Sequence, residues 1–195
     1  KTTTGKMRWT DDTQMSIDLA ESILENNTVD QDHLAFKFAS SHKWSRGYGP
    51  AASKILKSIN QGVKWEVANR QTYKEGSLGN GGAMRSPILA LIYFQNNDLL
   101  KKEITKATQI THANPLAIEG AILVGQAVSL ALNNIDSLEI ITIILQHSKT
   151  EIFKKKAELS LKWLEDNLDI SPKDVSKNLG NGIKAADSCI TAIYL

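Results

Sequence analysis

The sequence has almost no cysteine, little excess charge of either sign and no evident long apolar run. Its one cysteine, Cys189, cannot form a disulfide within the chain, which favours a reducing, cytoplasmic location. A net charge of +2 over 195 residues gives no broad basic surface, so we expect no nucleic-acid partner. Since no run of about 18 apolar residues is evident, we expect no membrane span. The remaining composition, 42% hydrophobic and 23% charged, suits a globular protein with a substantial core.

The spacing of apolar residues predicts an all-α protein. Met15, Leu19 and Ile23 recur every four positions, which predicts a helix over residues 12–24. The segment SLEIITIIL is rich in isoleucine and has strand propensity, but its length and helical neighbours favour a buried helix. No stretch shows the strict alternation of a half-buried strand. Further helices are predicted at 33–44, 51–59, 83–94, 99–111 and in the segments that follow HANP, SKT and DIS.

Two adjacent acids, Asp11 and Asp12, stand at the start of the first predicted helix in the stretch WTDDTQM. One interpretation is a helix cap, because Thr or Asp can accept the free N–H groups and acids favour the positive end of the helix dipole. The other is a site for a hard cation, since Mg²⁺ prefers oxygen ligands and would remove the repulsion between the two carboxylates. The residues alone leave both interpretations open.

Two glycine-rich segments precede helices and could bring the backbone close to a ligand. GSLGNGGAMR holds four glycines in seven residues: Gly76, Gly79, Gly81 and Gly82. Backbone N–H groups in such a loop favour phosphates, although glycines alone are more typical of a mobile loop. Arg85 follows in the first helical turn, where it either pairs with an acid or supports the loop. In SRGYGPA, Gly47 and Gly49 form a second, weaker candidate.

Three other features carry less information. His112, in THANPLAIEGA, lies in a loop at a helix start, where a single histidine is more often structural than catalytic. LGNGIKAADS is typical of a helix C-cap and turn. Cys189 lies on an apolar helical face and is expected in the core.

Taken in order, the motifs WTDDTQM, RGYG, GSLGNGGAMR, THANPLAIEGAIL and LGNGIKAADSCITAIY resemble the ADP-ribosylglycohydrolase family. This family includes dinitrogenase reductase-activating glycohydrolase and the ADP-ribosyl-acceptor hydrolases. The glycine loop and the last motif are most similar to the branch that acts on serine-linked ADP-ribose, poly(ADP-ribose) and O-acetyl-ADP-ribose. The resemblance implies a compact orthogonal helical bundle of the family type, with residues 1–195 forming one partial domain.

The resemblance also implies a site for ADP-ribose with magnesium, expected as two ions. Thr10, Asp11 and Asp12 match the family's N-terminal metal ligands, and Gly47 and Gly49 match a loop that approaches the diphosphate. The residues that match the loop around the diphosphate and riboses are Gly76, Ser77, Gly79 and Asn80. His112 matches a histidine near the distal part of the ligand, and Ile183 matches a contact on the adenine side. Leu78 stands where the serine-linked branch often has an aromatic residue, so adenine stacking is expected to be weaker or to fall to Tyr73.

Two family motifs find no match in the chain, and both carry acids. One is a second metal motif, expected after TAIY, and the other is an acidic residue expected before TDDT. The resemblance therefore predicts a partial copy of a longer, monomeric enzyme whose catalytic acid lies outside this chain. The implied activity is magnesium-dependent hydrolysis of O-glycosidic ADP-ribose linkages, with ADP-ribose or an ADP-ribosylated protein as partner. Two alternatives stay open: a module that binds ADP-ribose without cleaving it, and a crystallin-like structural protein.

Overall fold

The protein is described by a computed structural model that covers residues 8–195. Within that range it contains eleven α-helices and no β-strand, which confirms the all-α prediction. The helices are α1 (Asp11–Asn26), α2 (Gln31–Ser41), α3 (Pro50–Asn60), α4 (Trp65–Ala68), α5 (Ser86–Tyr93), α6 (Asn97–Gln109), α7 (Pro115–Leu132), α8 (Ser137–His147), α9 (Glu151–Glu165), α10 (Pro172–Asn178) and α11 (Cys189–Tyr194).

Local sequence accounts for where most of these helices begin and which face they bury. On α1 the predicted face is buried, with Met15, Leu19 and Ile23 all in the main core. The isoleucine-rich segment forms α8, which begins where Asp136 accepts hydrogen bonds from two backbone N–H groups. Its Ile141 and Ile144 are fully buried, so the helical interpretation of this segment is confirmed. Each such side chain contributes roughly 1.5–3 kcal/mol by leaving water.

Helix α7 lies at the centre of the bundle and contacts α5, α6, α8 and α11. Its 18 residues have a mean hydropathy of 1.6, which meets the length and composition of a membrane span. The expectation that the chain has no run of this kind is therefore wrong. The same apolar character serves packing here, because Ala117, Ala121 and Leu123 are buried in the core that α7 shares with its neighbours. Within the part of the chain that the structure describes, 39% of this helix is buried, so core packing accounts for part of its hydropathy.

Connections that are far apart in sequence are brought together around the turn Ala83–Arg85, which precedes α5. This short 3₁₀ turn contacts both α1 and α7. The loop before it packs on the end of α6, where Gly82 faces Thr108, and on the connection between α6 and α7, where Gly76 faces Ala113. The fold thus places the acidic start of α1, the glycine loop and the α6–α7 connection around one turn.

Candidate functional site

The acidic start of α1 is held without a base to neutralise it. Among residues 8–195, no lysine, arginine or histidine forms an ion pair with Asp11 or Asp12. Partial burial, followed by the charge of Asp12, raises the pKa of Asp11, and backbone N–H groups at the helix start offset part of this shift. Arg46 lies nearby, but its guanidinium stacks on the ring of Trp9 at 4.8 Å and donates to Gln14. The two carboxylates therefore face each other's charge with little compensation.

Thr10 does not cap α1 with its side chain, although it occupies the cap position. Its hydroxyl donates to the carboxylate of Asp12 at 2.7 Å instead. The caps of α2, α6 and α7 behave differently, since Asp30, Asn96 and Asn114 each accept from a backbone N–H group. The side chain of Thr10 therefore does not cap α1. The arrangement gathers one hydroxyl and two carboxylates at a rigid helix end.

The loop that holds Gly47 and Gly49 lies against these acids. A Cβ added to Gly47 would lie 3.8 Å from a carboxylate oxygen of Asp11. Between the two glycines, Tyr48 is buried, and its hydroxyl has no hydrogen-bond partner among the described residues. Burial, followed by the nearby charge of Asp18, raises the pKa of Tyr48 to about 12, so the phenol stays protonated. The structure brings this loop to the acidic cluster.

The glycine loop before α5 is packed so closely that side chains would not fit. Gly76 has φ +80°, and a Cβ there would come within 2.6 Å of the backbone of Ala113 and Asn114. A Cβ on Gly81 would lie 2.4 Å from Cε1 of His112, and one on Gly79 would lie 2.9 Å from its Nε2. We call residues 76–82 the glycine arch, because they bend over the imidazole of His112. The arch is an ordered, packed loop.

The arch is also fixed from its other side by a segment far along the chain. The backbone N–H of Asn80 donates to the carbonyl of Ile183, and that of Ala185 donates to the carbonyl of Leu78, each at 2.9 Å. The side chain of Asn80 donates to the hydroxyl of Ser188 at 3.0 Å. The stretch LGNGIKAADS is thus more than a turn, since it holds the arch in place.

Arg85 is fully buried beneath the arch and has no acidic partner among the described residues. It donates to the carbonyls of Gly81 and Ala107 and, at 2.9 Å, to the hydroxyl of Thr111. Burial lowers the pKa of its guanidinium to about 9, which leaves the group charged near neutral pH. Of the two interpretations of Arg85, the structure supports the one in which it holds the loop. A buried cation below the arch also favours an anion above it.

His112 is buried beside this arginine, with 8% of its surface exposed. Its Nδ1 lies 2.8 Å from the hydroxyl of Thr111. Burial, followed by the charge of Arg85, lowers the pKa of the imidazole to about 3, so the ring is neutral. The structure therefore places His112 in a buried position beneath the glycine arch.

The remaining predicted contacts line the open side of the site. Leu78 is 38% exposed and Ile183 is 84% exposed, so both can meet a ligand. Tyr73 is also exposed on the loop that leads into the arch. A cavity of about 460 Å³ opens beside Asn80, between it and the residues around Gly182 and Thr191. Of the predicted contact residues only Asn80 lines this cavity, and its other walls come from α10, residues 180–182 and residues 188–195.

Sequence reasoning missed three polar residues that the structure adds to the site. Thr111 joins Arg85 to His112, and Ser188 anchors Asn80. Asp18 is buried two turns below Asp11 and accepts hydrogen bonds from Gln14 and Ser41. Burial raises the pKa of Asp18. One signal in the sequence pointed to Asp18, a carboxylate among the core positions of α1, whereas none pointed to Thr111 and Ser188.

The oxygen atoms at the start of α1 fit part of the ligand shell of a hard cation. They come from two carboxylates and a hydroxyl, the donor types that Mg²⁺ takes, and no described base competes for them. Within residues 8–195, no three His, Cys, Asp or Glu side chains cluster so as to hold a metal by themselves. Water or groups outside the described residues would have to complete the shell.

Comparisons with known proteins identify a matching family and several related sequences. The model of the ADP-ribosylglycohydrolase family matches residues 2–195. ADP-ribosylhydrolase ARH3 of Mus musculus is 34% identical over 214 residues, a match that covers 98% of this chain and 58% of the relative. The protein of the same name from Homo sapiens is 34% identical, with 98% and 59% covered. An uncharacterised protein of Archaeoglobus fulgidus is 26% identical, with 95% and 59% covered.

A solved structure, described as an ADP-ribosylglycohydrolase-related protein complex, shares the fold. The TM-score is 0.70 at 21% sequence identity, and the match covers 96% of this chain and 58% of the other. At that identity the likeness shows the fold alone, and it confirms the predicted type of helical bundle. The chain spans 58% of the length of the mouse relative.

Proposed function

Because the chain belongs to the ADP-ribosylglycohydrolase family, we propose that it contributes to magnesium-dependent hydrolysis of O-glycosidic ADP-ribose linkages. The observation that supports this best is the convergence of two kinds of group on one turn. Acids without a base stand at the start of α1, and a packed glycine arch lies over a buried cation. The acids suit a metal, and the arch suits a diphosphate.

In the proposed reaction, the residues of this chain bind and orient the ligand. The glycine arch and the loop at Gly47 and Gly49 let backbone N–H groups approach the diphosphate without side chains in the way. Arg85 supplies positive charge from below the arch while it fixes the position of Gly81. Leu78 and Ile183 offer exposed apolar surface to the adenine. The binding surface thus comes from three separate parts of the chain.

Thr10, Asp11 and Asp12 would hold the magnesium, close to the loop that contains Gly47. A metal bound there supplies Lewis-acid polarisation of the ribose oxygens next to the scissile bond. The three residues would fix its position, because Asp11 and Asp12 project from the first turn of α1 and Thr10 directly precedes that turn. No residue of this chain is assigned as the general acid or base. A monomeric state and the absence of a nucleic-acid or membrane partner stay predictions.

The test is release of ADP-ribose from a serine-ADP-ribosylated peptide, with and without Mg²⁺. Since the chain spans 58% of its mouse relative, it is assayed alone and joined to the flanking segments of that relative. Release by the joined form that is lost on Asp11→Asn supports the proposal. The matched control is Asp98→Asn, because Asp98 is an exposed acid in the first turn of α6 and should not matter.

A binding module without catalysis is the alternative, and the same samples distinguish it. Calorimetry with ADP-ribose would then show binding by the chain, while no form releases ADP-ribose from the peptide. A structural role predicts neither binding nor release. The acids without a base at the start of α1 oppose a structural role, since their repulsion destabilises the fold unless a cation offsets it.

A further inference from the structure

We propose that Arg85 and Thr111 are positioning residues that fix His112 as a hydrogen-bond donor, through Nε2–H, to a ligand oxygen held in the glycine arch. The proposal rests on the proposed function for the identity of the ligand. Its first part, the proton position on the imidazole, is a property of the protein alone.

Arg85, Thr111 and His112 form a chain of two hydrogen bonds, which we call the relay, and its direction follows from which groups can donate. A guanidinium can only donate, so Arg85 Nη2 gives its proton to the oxygen of Thr111, 2.9 Å away. The hydroxyl proton of Thr111 then needs an acceptor, because this residue is fully buried. The only acceptor that the described residues place within reach is Nδ1 of His112, at 2.8 Å. If Nδ1 carried the proton instead, the hydroxyl of Thr111 would be left without an acceptor.

The second nitrogen of the ring faces the arch. With Nδ1 accepting, a neutral imidazole carries its proton on Nε2. The ring is neutral because its burial, followed by the charge of Arg85, lowers the pKa of His112 to about 3. Cβ atoms added to Gly79 and Gly81 would each lie 2.9 Å from Nε2, so this nitrogen points between the two glycines.

Within residues 8–195, Nε2 has no hydrogen-bond partner of its own. An N–H group that has a fixed direction and no acceptor among the described residues suits an oxygen of the ligand, either of the diphosphate or of a ribose. Side chains at Gly79 and Gly81 would crowd this nitrogen, so glycine at both positions keeps Nε2 clear of side-chain atoms. The relay keeps the Nε2–H group in place, because it connects the imidazole through Thr111 to the buried guanidinium of Arg85.

Thr111→Val tests the relay, because it removes the hydroxyl at nearly constant volume. Thr111→Ser keeps the hydroxyl. Thr105→Val makes the same chemical change within α6 and is the matched control, because the hydroxyl of Thr105 only donates to the carbonyl of Lys101. Long-range proton–nitrogen correlation NMR reports which ring nitrogen carries the proton. The chain has four histidines, so the spectrum of a His112→Asn variant assigns the signal.

We expect the Nε2–H form of His112 in the unchanged protein, in Thr111→Ser and in Thr105→Val. Thr111→Val should lose this preference and should bind ADP-ribose about fivefold to tenfold more weakly by calorimetry, the loss of one hydrogen bond. An Nδ1–H ring in the unchanged protein overturns the relay, and so does a Thr111→Val protein whose ring is unaltered. A shifted proton without loss of affinity overturns the donor role. Failure of the unchanged chain to bind ADP-ribose, both alone and joined to the flanking segments, overturns the proposed function, and the NMR result still decides the relay.

Discussion

Replacement of Gly76 by alanine should destabilise the protein through the packing of the glycine arch, and the chain contains a matched control. Gly76 and Gly62 both have a left-handed backbone, with φ +80° and φ +89°. A Cβ at Gly62 would meet nothing within 4 Å, whereas one at Gly76 would come within 2.5 Å of the backbone N of Asn114. The two substitutions therefore share the backbone strain and differ only in the contact.

The magnitude follows from these two contributions. Alanine in the left-handed region costs about 1–2 kcal/mol, and this cost applies at both positions. Forcing a methyl group into a packed site adds about 1–3 kcal/mol. Here the neighbour is backbone, which cannot rotate away as a side chain can. We expect the free energy of unfolding to fall by about 1 kcal/mol for Gly62→Ala and by about 3 kcal/mol for Gly76→Ala.

Urea unfolding followed by far-ultraviolet circular dichroism measures both values, with the midpoint and the slope fitted separately. ADP-ribose calorimetry on the folded variants gives a second readout, because a displaced arch would move Ser77 and Asn80. Gly76→Ala should bind more weakly, while Gly62→Ala should bind normally. Equal losses of stability for the two variants would refute the reasoning, since they would mean that the arch does not press on residues 113–114.

Three further predictions follow from the site. Asp11→Asn should weaken Mg²⁺ binding, measured by calorimetry, without lowering the thermal stability of the metal-free protein. The control Asp98→Asn, at the start of α6, should change neither quantity. Unchanged Mg²⁺ affinity in Asp11→Asn would remove Asp11 from the metal site. Because burial lowers the pKa of His112 from 6.5 to about 3, its contribution to stability is fully present above pH 6.5 and is lost as the pH falls toward 3. The loss is about 2 kcal/mol near pH 5, and unfolding curves of His112→Asn should lack that part of the acid sensitivity. Arg85→Lys should cost about 2–4 kcal/mol in urea unfolding because one ammonium cannot replace bonds to three separate oxygens, while the same change at the exposed Arg70 should cost under about 0.5 kcal/mol; similar losses at both would contradict the role of Arg85.

Helices could be predicted from the sequence because their signals are local. The spacing of Met15, Leu19 and Ile23 predicts α1, and Ser171 before a proline predicts the start of α10, where it accepts from the N–H of Asp174. The helix expected over 83–94 begins instead with a 3₁₀ turn, since residues 83–85 follow the bend of the glycine arch. Helix α4 was missed because four residues are too few to show a period.

Residues of the candidate site could be named from the sequence, whereas the contacts between them could not. Thr10, Asp11 and Asp12 could be named because paired acids at a helix start are visible in a linear sequence. The partners of Arg85 could not, because Ala107 and Thr111 lie on another helix and its following loop. Pairing of Asn80 with Ser188 depends on how α7 to α11 fold back, and no short-range pattern reports that path.

The bond between Asn80 and Ser188 also bears on how the protein is made. The two residues are 108 positions apart, so the segment that fastens the arch is synthesised long after the arch itself. Closing so long a span costs conformational entropy that local contacts do not, and such contacts form late in folding. During translation the arch can therefore contact the α6–α7 connection early, but it gains its second support only once the chain has reached residue 188. The arch consequently reaches its final geometry late in folding, after the helices that frame it are in place.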